Sequence, residues 1–333
     1  MTESRPPSPG EAAQTGQFHL TDVPAEELIE QIGRLRHEKN AVILAHNYQL
    51  PEIQDLADFT GDSLGLSVEA SRCDADLIVF CGVHFMAESA KILSPSKRVL
   101  LPHLGAGCAL ADAITVESLE EWKERYPDHT VVTYVNSTAD VKAESDICCT
   151  SANAVSVCRS LETDKVLFTP DKNLGRWVER QLPDKQFAIY DGMCPTHDVL
   201  RHATVDRTRA AYPDAVIIAH PECREDVVDL ADEVCSTTGM LTAVERYPEA
   251  RTFIIATESG MLHQLAKRFP DREFIPADGC IGCRLHCPYM KVTGLQDVYR
   301  SLREERYEIQ LDDDVIEGAR RSLERMMAVP RDG

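Results

Sequence analysis

Four features recur in the same order three times along this chain, and few folds accommodate them. His46, Tyr134 and His220 each close a short hydrophobic run and lie 88 and 86 residues apart. Seventeen residues after each comes a small hydroxyl residue: Ser63 in GDSLG, Ser151 in TSANA and Thr237 in STTGM. About 36 residues after each, a second run ends in polar or glycine-bearing text, CGVHFM, TPDKNL and ATESGM. After 60 to 67 residues a third run leads to a cysteine: Cys108 in GAGCALAD, Cys194 in DGMCPTHD and Cys287 in LHCPYMK. The runs, such as AVILAH and AVIIAH, alternate with segments of helical period such as HFMAESAKIL and GMLHQLAKRF. That alternation predicts βαβ units with parallel strands.

The expected fold is therefore α/β, with three pseudo-symmetric three-layer αβα repeats. Each has a short parallel sheet of three strands, and the three surround a central active site. The marked residues fall just past the carboxyl ends of strands, where open α/β sheets place ligands. The repeats are expected over residues 23–110, 111–196 and 197–300, with a C-terminal helix over 308–328 packing back on the first. Residues 1–22, rich in Pro, Ser, Gly and Glu, are expected to be a disordered tail.

A net charge of −20 over 333 residues argues against nucleic acid, which needs a basic stripe, and against docking on an anionic membrane. No apolar run reaches the roughly 18 residues of a membrane helix. The opening MTESRPPSPGEAAQTGQ lacks the apolar core of a signal peptide, so a cytoplasmic location is expected. Twelve cysteines in a reducing compartment read as core residues, metal ligands or redox groups rather than disulfides. Cys81 in LIVFCG and Cys158 in AVSVCRSL suit the core.

One cysteine from each of three units suits an iron–sulfur cluster. In a cubane held by three thiolates, one iron stays open and acts as a Lewis acid, which favours non-redox chemistry such as dehydration. Cys108 stands between glycine and alanine ahead of an expected helix, whose N-terminus would favour a thiolate. Cys194 and Cys287 each precede proline, so neither lies inside a helix. The run Cys280-Ile-Gly-Cys283-Arg-Leu-His286-Cys287 also reads as a small zinc or cluster site, or as a redox-sensitive pair beside one ligand.

Seven segments, AHNYQLPEIQDLADFTGDSL (45–64), YVNSTAD (134–140), TSANAV (150–155), FTPDKNLG (168–175), AHPEC (219–223), STTGM (236–240) and CPYMK (287–291), together resemble the motifs of the quinolinate synthase family of bacterial de novo NAD biosynthesis. The resemblance runs from about residue 25 to residue 327. It implies a transferase that condenses iminoaspartate with dihydroxyacetone phosphate to quinolinate, releasing phosphate and two waters. It implies a [4Fe-4S] cluster on Cys108, Cys194 and Cys287, the set that the repeat also marks. It allows transient contact with the upstream L-aspartate oxidase. Cys280 and Cys283 occur in some family members only, and His84 stands where the family often has Asp or another small polar residue.

The remaining candidates are read from their chemistry and from this resemblance together. His46 and Tyr48, in HNYQ, offer a donor for a carboxylate and a phenol for proton transfer. Tyr134 and Asn136 alternate on one strand and point to one face; the resemblance makes them substrate-binding. His220 and Glu222 flank Pro221; Glu222 is a candidate general base, His220 a substrate ligand. Ser63, Ser151 and Thr237 read as helix N-caps that also suit anionic substrate groups. Two rival classes remain: a metal-binding protein without catalysis that uses Cys280, Cys283 and Cys287, and a metal-free sugar phosphate enzyme.

Overall fold

The computed structural model describes residues 23–279 and 285–332, so the expected tail over residues 1–22 and the cysteines Cys280 and Cys283 lie outside the described residues. The chain forms three sheets of four parallel strands. In the first, β1 (Ala41–His46) and β3 (Leu77–Cys81) are central, with β2 (Phe59–Gly61) and β4 (Arg98–Leu100) at the edges. The second repeats this order with β5 (Thr130–Tyr134), β6 (Ile147–Cys149), β7 (Lys165–Thr169) and β8 (Gln186–Ile189). The third repeats it with β9 (Val216–Ala219), β10 (Glu233–Val234), β11 (Thr252–Ala256) and β12 (Glu273–Pro276). The three α/β repeats are thus present, but each sheet has a fourth, short edge strand where three strands are expected.

That extra strand has a local cause. Asp58, Asp146 and Asp232 stand just ahead of β2, β6 and β10, and each accepts the backbone N–H of a residue fifteen positions earlier, Ile43, Val131 or Ile217, at 2.8 Å. Each carboxylate satisfies a donor of the first strand where the edge strand does not yet cover it. The acid also starts the edge strand in a fixed register. The three aspartates keep the 88- and 86-residue spacing of the marked residues.

Contacts divide the chain into two compact units. One comprises residues up to Cys108 with Pro288–Ile316, and holds the first sheet. Its core joins Ile43, Ala45 and Val79 of the strands to Ile32 of α1 (Ala25–Glu38) and to Val298 and Leu302 of α15 (Leu295–Glu304). Burial of both sheet faces explains why β1 and β3 read as continuous apolar runs. The other unit comprises Ala109–Cys287 with Glu317–Gly333, and holds the second and third sheets.

The expected helix over 308–328 is corrected in extent and in place. Residue Glu308 bridges to Leu100, and the last helix, α16, covers Asp313–Met327. From Glu317 onward it packs on the second repeat: Ser322 Oγ donates to Lys142 O at 2.8 Å and Asn153 Nδ2 donates to Met326 O at 3.1 Å. The helix that packs on the first repeat is α15, because its apolar face carries Val298 and Leu302. No helix among the described residues is long and apolar enough to cross a membrane.

Candidate active site

The second and third repeats bring five of the marked side chains into contact around Glu222. Glu222 follows the end of β9 and is buried, as are His220 and Tyr134. Pro221 sets the turn between His220 and Glu222. His220 Nδ1 lies 3.3 Å from the Glu222 backbone nitrogen and 3.6 Å from Glu222 Oε2, and its Nε2 lies 3.1 Å from Ser151 Oγ. Asn136 Nδ2 lies 3.5 Å from Glu222 Oε1, and the Tyr134 phenol also bonds that carboxylate.

A residue without a marker in the repeat completes the cluster. His197, on α9 (Pro195–Asp198), is buried, and its Nδ1 lies 2.7 Å from Glu222 Oε2 and 3.2 Å from Cys194 Sγ. Its Nε2 lies 2.8 Å from Thr257 Oγ1, and its ring stacks on His220 with centroids 4.8 Å apart. Sequence reasoning passes over His197 because the equivalent positions after the other two cysteines hold Ala111 and Met290. The signal present is local, Cys194-Pro-Thr-His197, a ligand type three residues from a cysteine. Asn173 is likewise a supporting residue: its Nδ2 donates to the Glu222 carbonyl at 3.1 Å and to Asp198 Oδ1 at 3.2 Å. Lys172 pairs instead with Asp191.

The electrostatics follow from burial and these partners. Burial alone raises the Glu222 carboxyl, but the charge and hydrogen bond of His197, the charge of His220 and the Tyr134 hydrogen bond outweigh it and hold the group down to about 2. The neighbouring acid Asp171 is pushed up, by burial first and by the Glu222 charge second, against backbone N–H donors at Leu174, Cys194 and Asn173.

In the first repeat, His46 Nδ1 accepts the Tyr48 N–H at 3.2 Å, the same turn as at His220, and the two rings meet edge to face at 4.6 Å. His84, the first residue of α4 (His84–Leu93), lies 3.4 Å from the buried Glu88. The N-cap reading of the hydroxyl residues is corrected by one position. Asp62 caps α3 (Ser63–Arg72) and Ser236 caps α12 (Thr237–Arg246), so Ser63 and Thr237 are first helical residues. Ser151 lies in the turn before α7 (Ala154–Ser160) and turns its hydroxyl to His220. Asp62 and Ser236 win the cap because their side-chain oxygens reach the N–H three residues on, at Gly65 and Gly239.

The cysteines sort by exposure. Cys81, Cys148, Cys149, Cys158 and Cys223 are buried, and burial pushes their thiols up, which suits core packing. Cys108, Cys194 and Cys287 are partly exposed, as are Cys73 and Cys235, so exposure alone does not single out the three. Cys194 is the N-cap of α9, and Cys287 directly precedes α14 (Pro288–Lys291). Cys108 leads into a single 3-10 turn, Ala111–Ala113, rather than the expected helix. A partly exposed thiol at a chain bend is the kind of donor that soft metals and iron–sulfur groups take. Sγ of Cys194, a ring nitrogen of His197 and a carboxylate oxygen of Glu222 lie within 4.8 Å of one another, a donor set that takes a borderline metal.

A family model described as quinolinate synthetase A protein matches residues 30–328. The chain is 52% identical over 307 residues to the quinolinate synthase of Geotalea uraniireducens, covering 92% of this chain and 99% of that one. It is 54% identical over 308 residues to that of Geobacter metallireducens, with 92% and 99% covered. It is 48% identical over 303 residues to that of Caldicellulosiruptor saccharolyticus, with 91% and 98% covered. Matched along nearly its whole described length, the chain belongs to the quinolinate synthase family of enzymes.

Proposed function

We propose that this enzyme acts in NAD biosynthesis and condenses iminoaspartate with dihydroxyacetone phosphate to quinolinate, releasing phosphate and two waters. The observation that carries the reading is the buried Glu222–His197–His220 cluster, with Tyr134, Asn136 and Ser151 on it and Cys194 beside it. Such a set binds carboxylates and moves protons in a water-poor site. Cys108, Cys194 and Cys287 would hold a [4Fe-4S] cluster. When bound, that cluster supplies an open iron as Lewis acid for the loss of hydroxide.

The chain's own residues supply the rest of the chemistry. The His220 ring and the Ser151 hydroxyl offer donors to an anionic group, and His46, Ser63 and Thr237 bind others. Tyr134 and Asn136 orient the iminoaspartate part. Glu222, ionised at neutral pH, accepts a proton during isomerisation or dehydration, and Tyr48 serves a second transfer. Substrate entry that draws Tyr134 or His197 away from Glu222 raises its basicity at the moment it is needed. The oxidase that makes iminoaspartate is the expected transient partner.

The test is iron and sulfide content of anaerobically purified protein, with quinolinate formation, for the wild type and for Cys108→Ser, Cys194→Ser and Cys287→Ser. About four irons and four sulfides in the wild type, lost in each variant together with activity, is the expected result. A cluster that survives loss of Cys108 or Cys194 overturns the ligand set. Activity in a metal-free, air-exposed preparation overturns the Lewis-acid reading.

A further inference from the structure

The loops that carry Cys108, Cys194 and Cys287 are tied down by one backbone device. Three residues beyond the end of β3, β7 and β11 stand His84, Lys172 and Ser259. Their N–H groups donate to the carbonyls of Ala106 at 2.7 Å, Gly192 at 2.8 Å and Leu285 at 2.8 Å. Each acceptor lies two residues ahead of a cysteine, Cys108, Cys194 or Cys287. At Gly192 the approach is so close that a Cβ would sit 2.5 Å from Pro170 O.

The residue before each donor differs between repeats. It is Val83 in the first, Asp171 in the second and Glu258 in the third, and both acids are fully buried. Asp171 Oδ2 accepts the Cys194 N–H at 3.0 Å, and its Oδ1 accepts the Leu174 N–H at 2.8 Å. Glu258 Oε1 accepts the Cys287 N–H at 3.2 Å, and its Oε2 accepts the Gly260 N–H at 2.7 Å. A buried carboxylate is costly unless its oxygens are satisfied. Here both acids spend one oxygen on the start of the next helix and the other on the amide of a candidate metal ligand. Two acids of different length reach the same amide from the same repeat position, which a helix cap alone does not require.

We propose that Asp171 and Glu258 are positioning residues that hold the backbone of Cys194 and Cys287 so that both thiols are set before a metal group binds. This rests on the reading that these cysteines are ligands. Groups that orient metal ligands in this way typically account for about 10–100-fold in metal affinity.

The experiment reconstitutes full-length Asp171→Asn, Asp171→Ala, Glu258→Gln and Glu258→Ala anaerobically, beside wild type, Cys194→Ser and Cys287→Ser. A cap control, Thr115→Ala, removes the exposed capping box of α5 (Val116–Arg125) in the same unit. Iron release to a chelator, the electron paramagnetic resonance of the reduced cluster and the thermal midpoint are recorded. The expected result is iron release about 10-fold or more faster in the acid variants, with an altered resonance, while Thr115→Ala loses thermal stability only. Release and resonance equal to wild type in the amide variants overturn the positioning role, and the amide variants decide if an alanine variant does not fold. Full clusters in Cys194→Ser and Cys287→Ser overturn the ligand reading instead, so the two failures are distinct.

Discussion

At neutral pH the Glu222 carboxyl is ionised, because His197, His220 and Tyr134 all favour its charged form over the effect of burial. It can therefore take a proton but has none to give. Glu222→Gln keeps the shape and the contacts to Asn136 while removing that capacity. A fall in kcat of about 10²-fold or more, at unchanged iron content, is expected in anaerobic quinolinate assays; near-normal turnover would remove Glu222 from the proton path. Glu222 itself is legible in the sequence, since AHPEC repeats the position of AHNYQ. His197 is not, because a one-off residue carries no periodic signal and its 2.7 Å contact reaches Glu222 across 25 residues of chain. The N-caps show the same limit at a finer grain: Ser63 and Asp62 are both plausible caps by type, and only the N–H of Gly65 chooses between them.

At the level of elements, close backbone approaches decide what substitution the chain tolerates. A Cβ at Gly318 of α16 would meet Ala143 Cβ at 2.8 Å and its backbone Cα at 3.2 Å. Gly318→Ala should therefore prise α16 off the second repeat and lower stability by about 1–3 kcal/mol, read from urea unfolding. At the other end of α15, Glu305 takes hydrogen bonds from Lys39 and Arg98, which hold its carboxyl down to about 2. A depressed carboxyl adds stability above its ordinary value of 4.5, and that share is lost as pH falls through about 2. The difference in thermal midpoint between wild type and Glu305→Gln should be constant from neutral pH to about 4.5 and shrink below it; a constant gap down to pH 2 would show the pair to be idle. The long strands were readable as apolar runs. β2, β6 and β10 were not, since two or three residues have no measurable period, and the aspartates that start them act through contacts fifteen residues away.

For the molecule as a whole, a net charge of −20 opposes the approach of substrates that carry phosphate and carboxylates. Salt screens that repulsion. Raising ionic strength from about 10 mM to about 150 mM, across which the screening length shortens from roughly 30 to 8 Å, should raise kcat/KM; a fall would mean that local donors at the site dominate the field. By itself the sequence determined the α/β class, the threefold repeat and the family, because these depend on residue type and on spacing along the chain. Tertiary structure alone decided the fourth strand of each sheet, the seat of α16 on the second repeat, and the convergence of His197, Asn173 and Asp171 on Glu222 and Cys194. Each of those rests on a hydrogen bond or a close approach between residues far apart in sequence, and such a contact leaves no period and no motif to read.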